Sequence, residues 1–170
     1  MAANPEPAYM SVDEYLHSDF EPDCDYVEGA LEDRNVGKRP HSETQRALLF
    51  ALHRPKDCVY AYPEQRLRLT STRYRVPDVC VYLDSRPAED IFAAPPFLCI
   101  EILSDEDRPG RLLRKLNDYV QFGVRHIWVL DPWSREAFVF ENGTLRQVFD
   151  ELSTGDPRVR MPLDDAFADV

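Results

Sequence analysis

The spacing of apolar and polar positions divides the chain into short segments of changing period. Ser11-Val12-Asp13-Glu14 sets a serine three residues before a glutamate, a reciprocal helix start, and predicts a short helix over 12–17. In Asp25-Tyr26-Val27-Glu28-Gly29-Ala30-Leu31 a glycine interrupts apolar residues, which predicts a hairpin or bulged strand. From Pro40 to His53 a first-turn proline precedes Ala47, Leu48, Ala51 and Leu52 at helical spacing, so this segment reads as a helix. Cys58 to Thr70 alternates in patches around Val59, Leu67 and Leu69 and reads as a strand, followed by a second from Val76 to Leu83. Phe97 to Leu103 is apolar except for Glu101, the pattern of a central strand covered on both faces.

Arg108 to Phe122 carries Leu112, Leu113, Leu116, Tyr119 and Val120 in one stripe, a helix that Gly123 ends. Strands follow at His126–Leu130 and Arg135–Glu141, the latter closed by the hairpin signal Asn142-Gly143. Residues 145–149 and 159–167 are expected to add short edge strands. Two strands joined by the 108–122 helix make a βαβ crossover within a mixed sheet, an α/β (α+β) class. No repeat or linker divides the chain, so a tail over 1–10 and one domain over 11–170 are expected.

Composition narrows the class. The longest apolar run, Ile91 to Ile100, holds two prolines in ten residues, whereas a membrane helix needs roughly 20 apolar residues. No basic residue or apolar stretch occurs in Met1–Glu14, which speaks against a secretory signal. Nine Phe, eight Tyr and two Trp supply too much buriable area for a disordered chain. A soluble, cytoplasmic globular domain is the expectation. Cys24, Cys58, Cys80 and Cys99 include no CxxC pair and read as buried thiols.

The net charge of −11 conceals blocks: −10 over 1–33, +7 over 34–75, −7 over 76–107, +4 over 108–125 and −5 over 126–170. A basic strip beside an acidic pocket suits a metal-dependent phosphodiesterase, the strip attracting phosphate and the pocket holding the cation. A solvated face that balances the acidic ends accounts for the same strip.

Glu101 is the anomaly. A carboxylate inside a buried strand is costly unless paired or bound to metal. Alternation puts Cys99 and Glu101 on one face, and Asp78, Cys80 and Tyr82 share a face on the preceding strand, so Asp78 and Glu101 can converge. Two carboxylates about 4 Å apart repel by roughly 4 kcal/mol at an effective dielectric of about 20. Either one takes up a proton or a divalent cation sits between them, and oxygen ligands favour magnesium or manganese. Lys115, at the edge of the helical stripe, can lean back over this face and stabilise charge on a phosphoryl oxygen. The plainer readings use the same residues: a turn-capping Asp78, a metal-free Glu101–Lys115 pair, and a snorkelling lysine.

Pro77-Asp78, Glu101 and Lys115 resemble the PD…E…K signature of the PD-(D/E)XK nuclease superfamily, with Leu103 standing where most members place the lysine. The match is to the migrated-lysine branch, the restriction-endonuclease-like Uma-two family. It rests also on Tyr26-Val27-Glu28-Gly29, His41-Ser42, Arg75-Val76-Pro77-Asp78-Val79, Glu101-Ile102-Leu103-Ser104, Tyr119 and the string from Gly123 to Pro132. The resemblance implies a restriction-endonuclease-like core, αβββαβ, with a mixed sheet flanked by helices. It implies Mg2+ or Mn2+ held by Asp78, Glu101 and the Ile102 carbonyl, with Glu28 approaching from the hairpin and Lys115 catalytic. His41, Arg75 and Arg111 are candidate phosphate or DNA contacts, although His41 also reads as a helix-start histidine without a catalytic role. The implied activity is phosphodiester hydrolysis in DNA by a homodimer. Asp105-Glu106-Asp107, and Arg111 where the family favours an acid, motivate an alternative: a non-cleaving nucleic-acid-binding or dimeric interaction module on the same fold.

Overall fold

A computed structural model describes residues 9–35 and 37–170. Residues 1–8 of the expected tail lie outside the described residues. Met10 is tied to the following hairpin, its amide donating to Gly29 O at 2.9 Å and its carbonyl accepting from Tyr26 Oη at 2.8 Å. Helix α1 (Val12–Leu16) has the predicted cap: Glu14 N donates to Ser11 Oγ at 3.2 Å, and Ser11 N to Glu14 Oε2 at 2.9 Å. Strands β1 (Asp25–Val27) and β2 (Ala30–Glu32) form the hairpin, turning at Glu28 and Gly29, both with positive φ. That backbone matches the strand twist, and at φ 94° Gly29 holds a conformation strained for other residues, with a Cβ there also displacing the exposed Tyr9 ring.

Helix α2 (Arg39–Leu52) follows, then strands β3 (Val59–Pro63), β4 (Leu67–Thr70), β5 (Arg73–Arg75), β6 (Val79–Leu83) and β7 (Leu98–Ile102). Helix α3 (Pro109–Phe122) leads to β8 (His126–Asp131), β9 (Glu136–Glu141), β10 (Thr144–Val148), β11 (Glu151–Ser153), β12 (Arg160–Pro162) and helix α4 (Leu163–Ala166).

Four expectations change. The segment 58–70 is two strands in different sheets, because Pro63 removes a ladder donor and Glu64 takes a left-handed conformation at φ 48°. The strand expected from Val76 starts at Val79, since Val76 N donates instead to the Asp25 side chain at 2.7 Å. The expected strand over 159–167 ends at Pro162, where α4 begins with Asp164 and Asp165 in its first turn, a placement favoured by the helix dipole. Cys24, Cys80 and Cys99 are buried as expected, but Cys58 is exposed in a left-handed turn.

Six strands form the main sheet in the order β10-β9-β8-β7-β6-β3, with β7–β8 the parallel pair bridged by α3. The implied αβββαβ core is α2, β3, β6, β7, α3 and β8, with β4 and β5 diverted into a second sheet ordered β2-β1-β5-β4. All five residues of β7 are buried. One sheet face (Val79, Val81, Leu98, Ile100, Trp128, Leu130) packs on Leu48 and Leu52 of α2 and on Met161 and Phe167. The opposite face (Cys80, Cys99, Ile127, Val129) packs on Leu116 and Tyr119 of α3. Each fully buried leucine contributes about 1.5–3 kcal/mol. Tyr15, Cys24, Tyr26 and Tyr74 form a third cluster between α1 and the second sheet.

Gly123 caps α3 at φ 103°, its amide donating to Tyr119 O and Val120 O. An added Cβ would meet Pro95 Cγ at 3.6 Å, an ordinary contact, so the cost of substitution is conformational. Gly123→Ala is expected to lower unfolding free energy by about 1–2 kcal/mol, read as a lower urea midpoint with an unchanged slope.

Candidate active site

Val79 pairs with Ile100 across β6 and β7, so Asp78 and Glu101 are the next residues facing each other beyond the end of the ladder. Asp78 Oδ2 extends the ladder by accepting from Ile102 N at 2.7 Å. Gln45 of α2 donates to the Asp78 carbonyl at 3.0 Å and fixes the loop. Asp78 Oδ1 accepts from Arg34 Nη2 at 2.6 Å and lies 3.3 Å from His41 Nε2. Glu101 Oε2 accepts from Lys115 Nζ at 3.0 Å, and Oε1 from Tyr119 Oη at 2.7 Å. Lys115 and Tyr119 stand one turn apart on α3, which is why one helix face reaches both oxygens. Lys115 Nζ also donates to Val76 O at 2.8 Å and lies 3.6 Å from Asp25 Oδ2. Asp78, Glu101 and Lys115 are 5%, 6% and 8% exposed, so their charges interact through protein rather than solvent.

Burial splits the two acids. Desolvation pushes Glu101 up to about 7, opposed by Lys115 and reinforced by the charge of Asp78. Burial works in the same direction on Asp78, but His41 and Arg34 overcome it and hold Asp78 below the usual carboxylate range. Against burial, the Asp78 carboxylate holds His41 above its ordinary value. Lys115 is likewise raised despite burial, by Asp25 and Glu101, and stays an ammonium at neutral pH.

The structure brings Asp78, Glu101, Lys115, Ile102 and His41 to one cleft, which Arg111 also lines. Two expectations are corrected. Glu28 does not approach the carboxylates; it sits in the hairpin turn, half exposed, and pairs with Arg73. Asp25, three residues earlier, enters the cleft and binds Val76 N beside the Pro77-Asp78 corner. Arg75 is no phosphate contact: it is 2% exposed and engages Asp118 at 2.7 Å, Glu32 at 2.5 Å and Asp25 at 3.2 Å. Arg111 donates to the Asp33 carbonyl and lies 3.6 Å from Glu32. Arg34 and Asp25 line the cleft and were missed by sequence reasoning, as was the part that Asp118 and the Tyr119 hydroxyl play in holding Arg75 and Glu101. The unusual density of acids over 1–33 was the available signal for Asp25. Of the ten bases over 34–75, all but Lys56 and Arg68 have an acidic partner within 4 Å among the described residues. The basic strip is therefore mostly paired charge, half of it at the surface on Lys38, Arg39, Arg46 and Arg54.

The donor set fits a hard divalent cation. Asp78 and Glu101 face each other with only oxygen to offer, and each keeps lone pairs beyond its present hydrogen bonds, at Asp78 Oδ2 and on both Glu101 oxygens. Among the described residues no three His, Cys, Asp or Glu side chains form a metal-holding group. A cation here would thus rest on two carboxylates, backbone and water, the mode magnesium favours. Among the described residues no helix is long and apolar enough to cross a membrane.

The mixed sheet with its carboxylate–lysine corner is a restriction-endonuclease-like fold. A crystal structure of a "putative nuclease belonging to DUF820" from Anabaena variabilis ATCC 29413 shares it, with a TM-score of 0.78 and 20% sequence identity over 94% of this chain and 98% of that one. The family model for Uma2, described as "Putative restriction endonuclease", matches residues 12–164, and the chain belongs to that family. No curated protein matches.

Two outcomes follow from the geometry. Arg75→Met leaves Asp25 and Asp118 buried without their main counterion, and is expected to cost about 3–5 kcal/mol of stability in urea denaturation. Folded Glu101 keeps its proton to about pH 7, while the unfolded chain releases it near the ordinary value of 4.5. Stability contributed by the protonated form is therefore lost as pH rises through that window. In a chelator, wild type is therefore expected to lose about 1–3 kcal/mol of stability relative to Glu101→Gln between pH 4 and pH 8, on top of the fixed cost of an amide that can accept from only one of Lys115 and Tyr119.

Proposed function

We propose that the chain is a Mg2+- or Mn2+-dependent endonuclease that hydrolyses phosphodiester bonds in DNA. The meeting of Asp78, Glu101 and Lys115 in one buried corner carries this reading, and membership of Uma2 supports it. Asp78, Glu101 and the Ile102 carbonyl would hold the cation. When bound, such an ion supplies Lewis-acid polarisation of the phosphate.

The remaining work belongs to the chain. The Tyr119 hydroxyl and the Lys115 ammonium fix both oxygens of Glu101, so the carboxylate does not reorient as charge develops. Lys115, anchored on Val76 O, keeps a positive charge at the corner for a phosphoryl oxygen. His41, on the first turn of α2, and Arg111, on α3, line the same cleft and offer donors to phosphate. Arg108 and Arg114, exposed and without ion-pair partners among the described residues, extend this basic character along α3. Homodimerisation and a cytoplasmic setting belong to the same proposal; exposed Leu113 and Val120 on the outer face of α3 supply apolar surface for a second copy.

The crowding of Asp78 Oδ1 by Arg34 and His41 favours a second reading, a non-cleaving nucleic-acid-binding module. Incubation of supercoiled plasmid with Mg2+ or Mn2+ separates the two. Nicking is expected, reduced at least about 100-fold in Asp78→Asn and Lys115→Ala variants that melt normally. A wild type that binds DNA without cutting it replaces the first reading with the second, and one that neither binds nor cuts removes both.

A further inference from the structure

The corner already contains a cation, and it belongs to the protein. Between β2 and α2, residues 33–35 and Lys38 strap the chain to the β7–α3 loop and to α3. The Asp33 carbonyl accepts from Arg111, and Asn35 Nδ2 donates to Ser104 Oγ at 2.7 Å and to Asp107 Oδ1 at 2.9 Å. Lys38 Nζ lies 2.5 Å from Asp105 Oδ2. These contacts engage two of the three acids in Asp105-Glu106-Asp107. Under the strap, the Arg34 side chain is only 9% exposed, with Nη2 on Asp78 Oδ1. Its next acid, Glu64, is 3.9 Å away, and its Nη1 is buried with no partner among the described residues.

Each detail bears on cation binding. A guanidinium does not deprotonate at working pH, so Arg34 leaves Asp78 only by moving. Arg34 donates to Oδ1 and His41 Nε2 stands 3.3 Å from the same oxygen, which crowds it against any other cation. A divalent ion on Asp78 would also face a fixed positive charge in a water-poor corner. The unpartnered Nη1 leaves the strapped position short of one hydrogen bond, which an oxyanion offering two acceptor oxygens, such as a phosphodiester, would supply.

We infer that Arg34 is a built-in counterion that competes with the divalent cation for Asp78, and that a nucleic-acid phosphate, by taking up the guanidinium, opens the corner to the metal. The inference rests on the nuclease reading and deepens it: metal and substrate load cooperatively. Lys38 and Asn35 set how readily the strap lifts, and Arg34 sets what is released when it does.

Calorimetric titration of Mn2+ into the full chain tests this without any cleavage assay. Arg34→Gln is expected to bind Mn2+ about 10-fold tighter than wild type or better, and Asp78→Asn to abolish the binding. The double change Asn35→Ala with Lys38→Ala touches only partly exposed polar contacts and is expected to tighten binding about 2- to 5-fold. A short phosphorothioate duplex is expected to tighten Mn2+ binding to wild type but not to Arg34→Gln. Equal or weaker binding by Arg34→Gln, with Asp78→Asn still inactive in binding, overturns the competition and leaves the metal-dependent reading standing. Absence of Mn2+ binding in every variant, with and without duplex, overturns both. If Arg34→Gln does not melt cooperatively, the double strap variant decides by the same criterion.

Discussion

A single carboxylate in the middle strand governs this structure. Glu101 occupies the fourth position of β7, where every neighbouring side chain is buried, and its ionised form must be solvated by protein or not at all. Helix α3 meets that demand with Lys115 and Tyr119, which is why its stripe carries an ammonium and a phenol among leucines. Lys115 in turn needs counter-charge, and Asp25 supplies part of it from the second sheet. Asp25 and Asp118 then share Arg75, and Asp118 also holds Arg73, so the second sheet is tied to α3 through charge as well as through Leu67, which clusters with Leu116 and Tyr119. One unfavourable burial thereby organises the contact between two sheets and a helix.

Such a network is poorly suited to stability alone. Apolar residues of similar volume would make the same junction without the desolvation penalty. On the proposed reading the acids have work to do, since a site that is to bind and release a cation must keep carboxylates that are only partly satisfied. Glu101, pushed up to about 7, is the side chain in which that incomplete satisfaction shows.

Local periodicity made most elements legible: the cap at Ser11, the stripe ending at Gly123, and the apolar run around Glu101 all describe neighbours in sequence. The Asp78–Glu101 juxtaposition was legible too, because strand alternation carries across an antiparallel pair. What failed was long-range. Arg34 meets Asp78 across 44 positions, and Arg75 meets Asp25 across 50, distances over which no period informs. Glu28 and Asp25 are a subtler case. Both are acids in one hairpin, but the left-handed turn at Glu28 throws it outward to Arg73 while Asp25, on the strand, faces the cleft. The strand read over 58–70 failed for a similar reason, because its two halves alternate correctly but belong to different sheets.

The charge blocks acquire a meaning only in three dimensions. The acidic block over 1–33 supplies partners to Arg66, Arg73 and Arg75, so opposite blocks neutralise each other inside the molecule. What remains outside is a chain of net charge −11 whose unpaired bases near the cleft are few. Phosphate contacts supply most of the non-specific affinity for nucleic acid, and a protein of this charge makes them sparingly on its own. A divalent cation at Asp78 and Glu101 would add positive charge where the chain lacks it. On the proposed reading the ion would serve affinity as much as chemistry, and substrate and metal would each improve the site for the other.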